Sequence, residues 1–212
     1  SNCVVFAPDG KTIASVSAGN MKLWNLAGEL RQDFFGHSDS VTSVAFAPDS
    51  KTIASASNDK TVKLWNLNGA LLRTFSGHSD SVNSVAFAPD GKTLASTSSD
   101  NTVRLWNLDG SLLHTWYSSP VSSVAFAPDG KILASANGDS TVRLWNLDGS
   151  LLRTFSGHRF NVNSVAFAPD GKTLASTSSD SAIKLWNLAG ELLQTFSGHS
   201  SSVYSVAFSP DG

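Results

Sequence analysis

Apolar and polar side chains alternate along this chain in short runs, and no stretch places its apolar residues every three to four positions as a helix face requires. Between Ser40 and Ser79 four such runs follow one another. The first, Val41 to Ala47, reads Val-Thr-Ser-Val-Ala-Phe-Ala and stops at Pro48-Asp49, where proline cannot continue a ladder. The second, Thr52 to Ser57, ends at Asn58-Asp59. The third, Thr61 to Leu67, is β-branched and aromatic and ends at Asn68-Gly69, a strong hairpin signal. The fourth, Ala70 to Phe75, ends at Gly77-His78. Four strands joined by tight turns predict one antiparallel four-stranded sheet, with no substantial helix anywhere.

The pattern recurs. Leu-Trp-Asn-Leu stands at 23–26, 64–67, 105–108, 144–147 and 185–188, and its tryptophans are spaced by 41, 41, 39 and 41 residues. A fixed period of this size marks a repeat architecture. Some copies are nearly the same: 82–100 and 162–180 agree at all 19 positions. This points to recent amplification of one repeat or to deliberate construction. Within the first run of each copy Val85, Ala86, Phe87 and Ala88 follow one another directly, the mark of a strand covered on both faces. Each small sheet must then lie between two neighbours, which radial packing around an axis provides.

Composition narrows the function classes. Charge is sparse, 15% of residues, and nearly balanced at net −2, with no basic block to follow a nucleic-acid backbone or an anionic membrane. No apolar run reaches membrane-spanning length. Cys3 is the one cysteine, so no intrachain disulfide can form. That, and the lack of a signal-peptide pattern, tips the expected compartment towards the cytoplasm.

Gly-His before the first strand, an Asp in the second hairpin and Leu-Trp-Asn in the third strand, all in register at one period, resemble the WD40 repeat. Asn stands where that family's name-giving Asp usually sits. The resemblance covers the whole chain and implies an all-β fold: a β-propeller of four-stranded antiparallel blades, five complete repeats plus one extra inner strand. The expected blades are 1–35, 41–76, 82–117, 121–156 and 162–197 within a single domain 1–212, with the extra strand at 202–209. In that family a buried network of His, Ser or Thr, Asp and Trp pins each blade. By position the resemblance implies three sets: His37, Ser55, Asp59 and Trp65; His78, Ser96, Asp100 and Trp106; His158, Ser176, Asp180 and Trp186. The second serine of each Ser-x-Ser pair shares the face of the first and remains an alternative.

Two copies break the pattern. Before the fourth blade the Gly-His is missing, so Asp139 and Trp145 lack a histidine unless an aromatic ring or a water substitutes. In the first blade Ser17-Ala18-Gly19-Asn20 holds no Asp. Half-satisfied networks cost stability, so both blades are expected to be the weaker ones. The surplus strand at 202–209 has three readings: it begins a blade completed by further repeats of a larger ring, it swaps into another copy, or it displaces the first strand as a clasp.

The recurring His, Ser and Asp look like a hydrolase triad but occur three times in register, whereas catalytic groups are placed singly in a cleft. Histidines one repeat apart and a lone cysteine give no metal-binding spacing, and no glycine-rich phosphate loop precedes a helix; neither metal nor cofactor is expected. Binding residues are better sought where a copy departs from its sisters. Arg159-Phe160 replaces Ser-Asp in the turn before the fifth blade, Tyr117 lies in the shortened connection, and Tyr204 replaces Asn83 and Asn163. All four sit near connections between fourth and first strands, a face the WD40 family often uses for partners. The expected function is therefore a non-catalytic interaction scaffold for a protein or peptide partner. An amplified or engineered array that only self-assembles, through 202–209, is the second reading, and a lectin-like propeller with tryptophan platforms is the third.

Overall fold

The computed structural model describes residues 3–17 and 19–212. Ser1, Asn2 and Ala18, which fall within the expected first blade, lie outside the described residues. The chain divides into two compact units, 1–113 and 114–212.

Five four-stranded sheets, each antiparallel between neighbours, account for all the regular structure among the described residues. The first holds β1 (Cys3–Phe6), β2 (Thr12–Ser17), β3 (Asn20–Asn25) and β4 (Leu30–Phe34). The second holds β5 (Val41–Phe46), β6 (Thr52–Ser57), β7 (Val62–Asn66) and β8 (Leu71–Phe75). The third holds β9 (Val82–Phe87), β10 (Thr93–Ser98), β11 (Thr102–Asn107) and β12 (Leu112–Tyr117). The fourth holds β13 (Val121–Phe126), β14 (Ile132–Asn137), β15 (Thr141–Asn146) and β16 (Leu151–Ser156). The fifth holds β17 (Val162–Phe167), β18 (Thr173–Ser178), β19 (Ile183–Asn187) and β20 (Leu192–Phe196). These are the blade units of a β-propeller.

The strands close where turn chemistry closes them. After β5 the backbone of Ala47 donates to Thr52 at 2.9 Å, and Pro48-Asp49 fills the loop between them. After β7 the Asn66 side-chain oxygen accepts from the backbone of Asn68 and Ala70 at 3.0 and 2.9 Å, an Asx turn into β8. Here the asparagine of Leu-Trp-Asn shows its use. In the first and fifth sheets its amide also donates to a carboxylate four residues on, Asn25 to Glu29 at 2.7 Å and Asn187 to Glu191 at 2.6 Å. Aspartate at those positions could not donate and would repel the glutamate.

Apolar side chains pack between successive sheets. In the first unit one core joins Val16, Met21 and Phe34 to Val44, Ile53 and Trp65, and another joins Val62, Leu64 and Phe75 to Val85, Leu94 and Trp106. In the second unit Val142, Leu144 and Phe155 meet Val165, Leu174 and Trp186. Each seam has the same key. The tryptophan of one sheet lies edge-on or tilted against the phenylalanine ending the sheet before it, with ring centroids 5.8 Å apart for Phe34–Trp65 and Phe75–Trp106 and 5.5 Å for Phe155–Trp186. The glycine two residues after that phenylalanine must be glycine. At Gly36 and Gly157 φ is +147° and +155°, and a Cβ would stand 3.0 Å from the indole of Trp65 and Trp186.

The expected strand at 202–209 is not formed. Residues 202–209 carry no ladder; Val203 makes one backbone bond, to Ser178 at 3.0 Å. The reason is physical: a strand exists only against a partner edge, and among the described residues no hairpin partner lies beside this one.

Candidate functional site

The three histidine networks arise from the same local geometry. In the second sheet Ser55 stands on β6, Trp65 on β7 faces Ile53 and reaches Ser55 diagonally, and Asp59 sits in the turn between those strands. His37 arrives from the connection after β4. His37 Nδ1 is 2.7 Å from Asp59 Oδ2 and Nε2 is 2.7 Å from Ser55 Oγ, while Trp65 Nε1 donates to the same Ser55 Oγ at 2.8 Å. The third and fifth sheets repeat this. His78 lies 2.8 Å from both Asp100 and Ser96, with Trp106 donating to Ser96 at 2.8 Å. His158 lies 2.9 Å from Asp180 and 2.8 Å from Ser176, with Trp186 donating to Ser176 at 2.8 Å. The first serine of each Ser-x-Ser pair thus meets the histidine. The second turns the hairpin instead: Ser57 Oγ donates to the Asp39 carbonyl at 3.1 Å and accepts from the Asp59 backbone at 3.0 Å.

The carboxylate can only accept, so Nδ1 carries a proton; with the imidazole neutral, as burial favours, Nε2 accepts from the serine hydroxyl while the serine oxygen accepts the indole proton. Burial is the chief influence on His37, His78 and His158, and it outweighs the pull of the facing carboxylate, so all three titrate below the usual 6.5. Burial works the other way on Asp100. It is overcome by hydrogen bonds from the Thr102 hydroxyl, His78 and the Ser79 backbone, which bring the carboxyl down to about 2.

The fourth sheet solves the same problem without a histidine. Trp145 Nε1 donates to Ser135 Oγ at 2.9 Å, as its sisters do. The sequence leaves Asp139 without a partner; the fold gives it Arg143, whose guanidinium pairs with Asp139 Oδ2 and also donates to Ser118 Oγ. Asn137, standing where the sister sheets carry Ser57, Ser98 and Ser178, links the rest. It is fully buried, its oxygen accepts from Ser118 Oγ at 2.9 Å and Ser135 Oγ at 3.3 Å, and its amide donates to the Thr141 carbonyl at 3.1 Å. The rebuilt network is not complete: Trp116 Nε1 and Ser119 Oγ are buried with no hydrogen-bond partner. In the first sheet Trp24 donates to Ser15 at 2.8 Å.

These networks cannot act as nucleophilic triads. Ser55, Ser96 and Ser176 are fully buried, and each hydroxyl is engaged by both an indole and an imidazole. Among the described residues no three His, Cys, Asp or Glu side chains gather as a metal-binding group. Trp65, Trp106, Trp116, Trp145 and Trp186 are buried, so none of these five offers the exposed stacking platform of a lectin-like surface; Trp24 is half-buried.

The variant residues at the connections are exposed instead: Phe160 by 60%, Tyr204 by 74% and Tyr117 by 80%, with Arg159 beside Phe160 in the chain. The Arg159–Phe160 turn is held firmly from below. The Arg159 backbone donates to Asp180 at 2.9 Å, and Ser178 Oγ donates to the Phe160 carbonyl at 2.9 Å. Ser178 also accepts from the Val203 backbone, so Phe160 and Tyr204 are both anchored on β18. Tyr117 stands apart from this anchor, at the end of β12. Sequence reasoning missed one residue of this kind. Phe35 occupies the position of Ser76, Ser156 and Ser197, is 75% exposed, and lines a shallow cavity with Asn20, Gly36 and His37. The copy-to-copy comparison that singles out Phe160 is the signal that could have found it.

Comparison with known families agrees with this geometry. A family model described as the IFT122 first beta-propeller matches residues 1–146. A second, described as WD domain, G-beta repeat, matches 149–187 and 190–212. No curated protein matches the chain. Together the two family models cover almost every residue, and the chain belongs to the WD40-repeat β-propellers, a family whose members generally serve as non-catalytic scaffolds for protein partners.

Proposed function

We propose that this chain is itself a non-catalytic interaction scaffold, and that it receives a protein or peptide segment on the connections carrying Arg159, Phe160 and Tyr204, with Tyr117 as a further contact. The observation that supports this most is the pinned turn: an exposed aromatic beside an arginine on a backbone that Asp180 and Ser178 hold fixed. Such anchors lose little conformational entropy on binding and are typical of contact hot spots. The repeated polar groups, by contrast, are consumed within the fold. Peptides selected from a display library against the folded chain test the reading. Selected peptides should protect the 156–163 segment from hydrogen exchange and lose at least about tenfold in affinity on Phe160→Ala. Peptides that bind elsewhere, or hydrolytic turnover that disappears with His78→Ala, would contradict it.

A second reading has its own support. Val203 is hydrogen-bonded to Ser178 and Asn163 of the fifth sheet while 202–209 carry no ladder, and an unpaired edge of this kind invites pairing with another chain. Self-association through this segment is the function it favours.

A further inference from the structure

Two departures of the fifth sheet from its sisters meet in one place. In the second, third and fourth sheets a threonine two residues after the turn aspartate, Thr61, Thr102 or Thr141, donates its hydroxyl to that aspartate at 2.6 Å. The fifth sheet has Ala182 there, and Asp180 Oδ1 accepts from the Ala182 backbone at 3.0 Å with no hydroxyl beside it. The missing side-chain atoms leave room. Asp180, Ala182, Lys184, Thr195 and Arg159 line an open hollow of about 230 Å³, several times the roughly 30 Å³ that one water occupies in the liquid. Arg159 is the second departure, since Ser38 and Ser79 stand at its position in the sister connections. The hollow belongs to the side of the fifth sheet that packs on the fourth. Lys184 lies two residues before Trp186 on β19 and so shares its face, and Trp186 meets Phe155.

Charge in the hollow is unbalanced. In the second sheet the same places hold Lys63, Ser38 and Asp59, one cation against one carboxylate. In the fifth, Arg159 and Lys184 stand against Asp180 alone. Asp180 is already engaged: its Oδ2 accepts from His158 Nδ1 and from the Arg159 backbone, each at 2.9 Å. Lys184 Nζ gives one of its donors to Thr195 Oγ1 at 3.1 Å and keeps the others. The Arg159 guanidinium makes no ion pair among the described residues. One further carboxylate would balance the hollow and accept charge-assisted hydrogen bonds from both cations. Resting on the reading that a peptide segment docks on the Arg159–Phe160 turn, we propose that this hollow is the subsite for an acidic side chain of that segment. An aspartate or glutamate carboxylate is held between Arg159 and Lys184 while a neighbouring apolar residue packs on Phe160. Ala182 makes the room and Arg159 adds the charge.

Peptides selected from a display library against the whole chain are the probes. Those that depend on Phe160 should carry Asp or Glu at a fixed spacing from an apolar residue. Changing that Asp to Asn, or Glu to Gln, should weaken binding about tenfold. On the Lys184→Gln or Arg159→Ser chain the same change in the peptide should cost less than about threefold, because the carboxylate has lost a partner. Ala182→Thr, which restores the sister hydroxyl, should weaken the acidic peptide about tenfold and its amide counterpart by no more than about twofold. Peptides that need Phe160 but bind equally well as amides would overturn the subsite and leave the docking reading standing. So would a loss that Lys184→Gln and Arg159→Ser leave unchanged, or an acidic peptide indifferent to Ala182→Thr. Peptides indifferent to Phe160→Ala would overturn the docking reading, and the subsite with it.

Discussion

The third and fourth sheets contain the same six-residue strand, Thr-Val-Arg-Leu-Trp-Asn, at 102–107 and 141–146, yet its arginine does different work in each. In the third sheet His78 already holds Asp100, and Arg104 lies over Trp106 with its guanidinium 5.8 Å from the ring centroid. In the fourth, where the shortened connection removes the histidine, Arg143 turns to Asp139 and Ser118. The strand sequence does not decide the role; what has already satisfied the aspartate does. A buried polar network is closed by matching donors to acceptors, and the fold accepts more than one set of residues that balance.

The difference can be broken most severely in the third sheet. His78→Ala with Arg104→Ala leaves the Asp100 carboxylate and the Ser96 hydroxyl short of partners, and should cost about 3 kcal/mol in urea denaturation. His78→Ala alone should cost about 1–2 kcal/mol, because Arg104, four residues from Asp100 as Arg143 is from Asp139, can then take the carboxylate over. Arg104→Ala alone removes only an arginine–indole contact, worth about 0.5–1 kcal/mol. The double variant should therefore exceed the sum of the singles by about 0.5–1 kcal/mol. Simple additivity would show that Arg104 cannot replace the histidine.

In the fourth sheet Arg143→Ala should cost about 1 kcal/mol, the modest value expected because Asp139 remains open to water. A loss as large as that of the double variant would mean that Arg143 carries the whole sheet. The smallest effect sharpens the comparison from a third direction. The fifth sheet has Ala182 where Thr61 and Thr102 donate to their aspartates at 2.6 Å. Restoring that hydroxyl with Ala182→Thr should stabilise the chain by about 0.5–1 kcal/mol.

Much of this is legible in the sequence. The 41-residue period and the four strands of each repeat follow from periodicity and turn residues, because these obey local rules, and the sets of histidine, serine, aspartate and tryptophan follow from the resemblance to the WD40 repeat. The roles of Arg143 and Asn137 do not. Arg143 sits in a strand of the same sequence as its sister's, and Asn137 reads as drift from serine; only their meeting at Ser118 gives them meaning. Residues 202–209 carry strand sequence, and by that rule they should form a strand. A ladder, however, is a property of two edges, and one segment cannot supply both.

The neutral imidazole is the premise on which the donor count rests, and acid tests it. For His37, His78 and His158 the folded pKa lies below the unfolded 6.5. Their contribution to stability is therefore complete above 6.5 and is lost as pH falls through the folded values. The aspartate contributions follow lower down, between 3.8 and about 2 for Asp100. Long-range proton–nitrogen NMR of the imidazoles, followed from about pH 7.5 downward, reads both the tautomer and the titration. The hydrogen bonds require Nδ1–H tautomers for all three residues at neutral pH and midpoints below 6.5. Nε2–H tautomers, or midpoints at or above that value, would contradict the network as drawn.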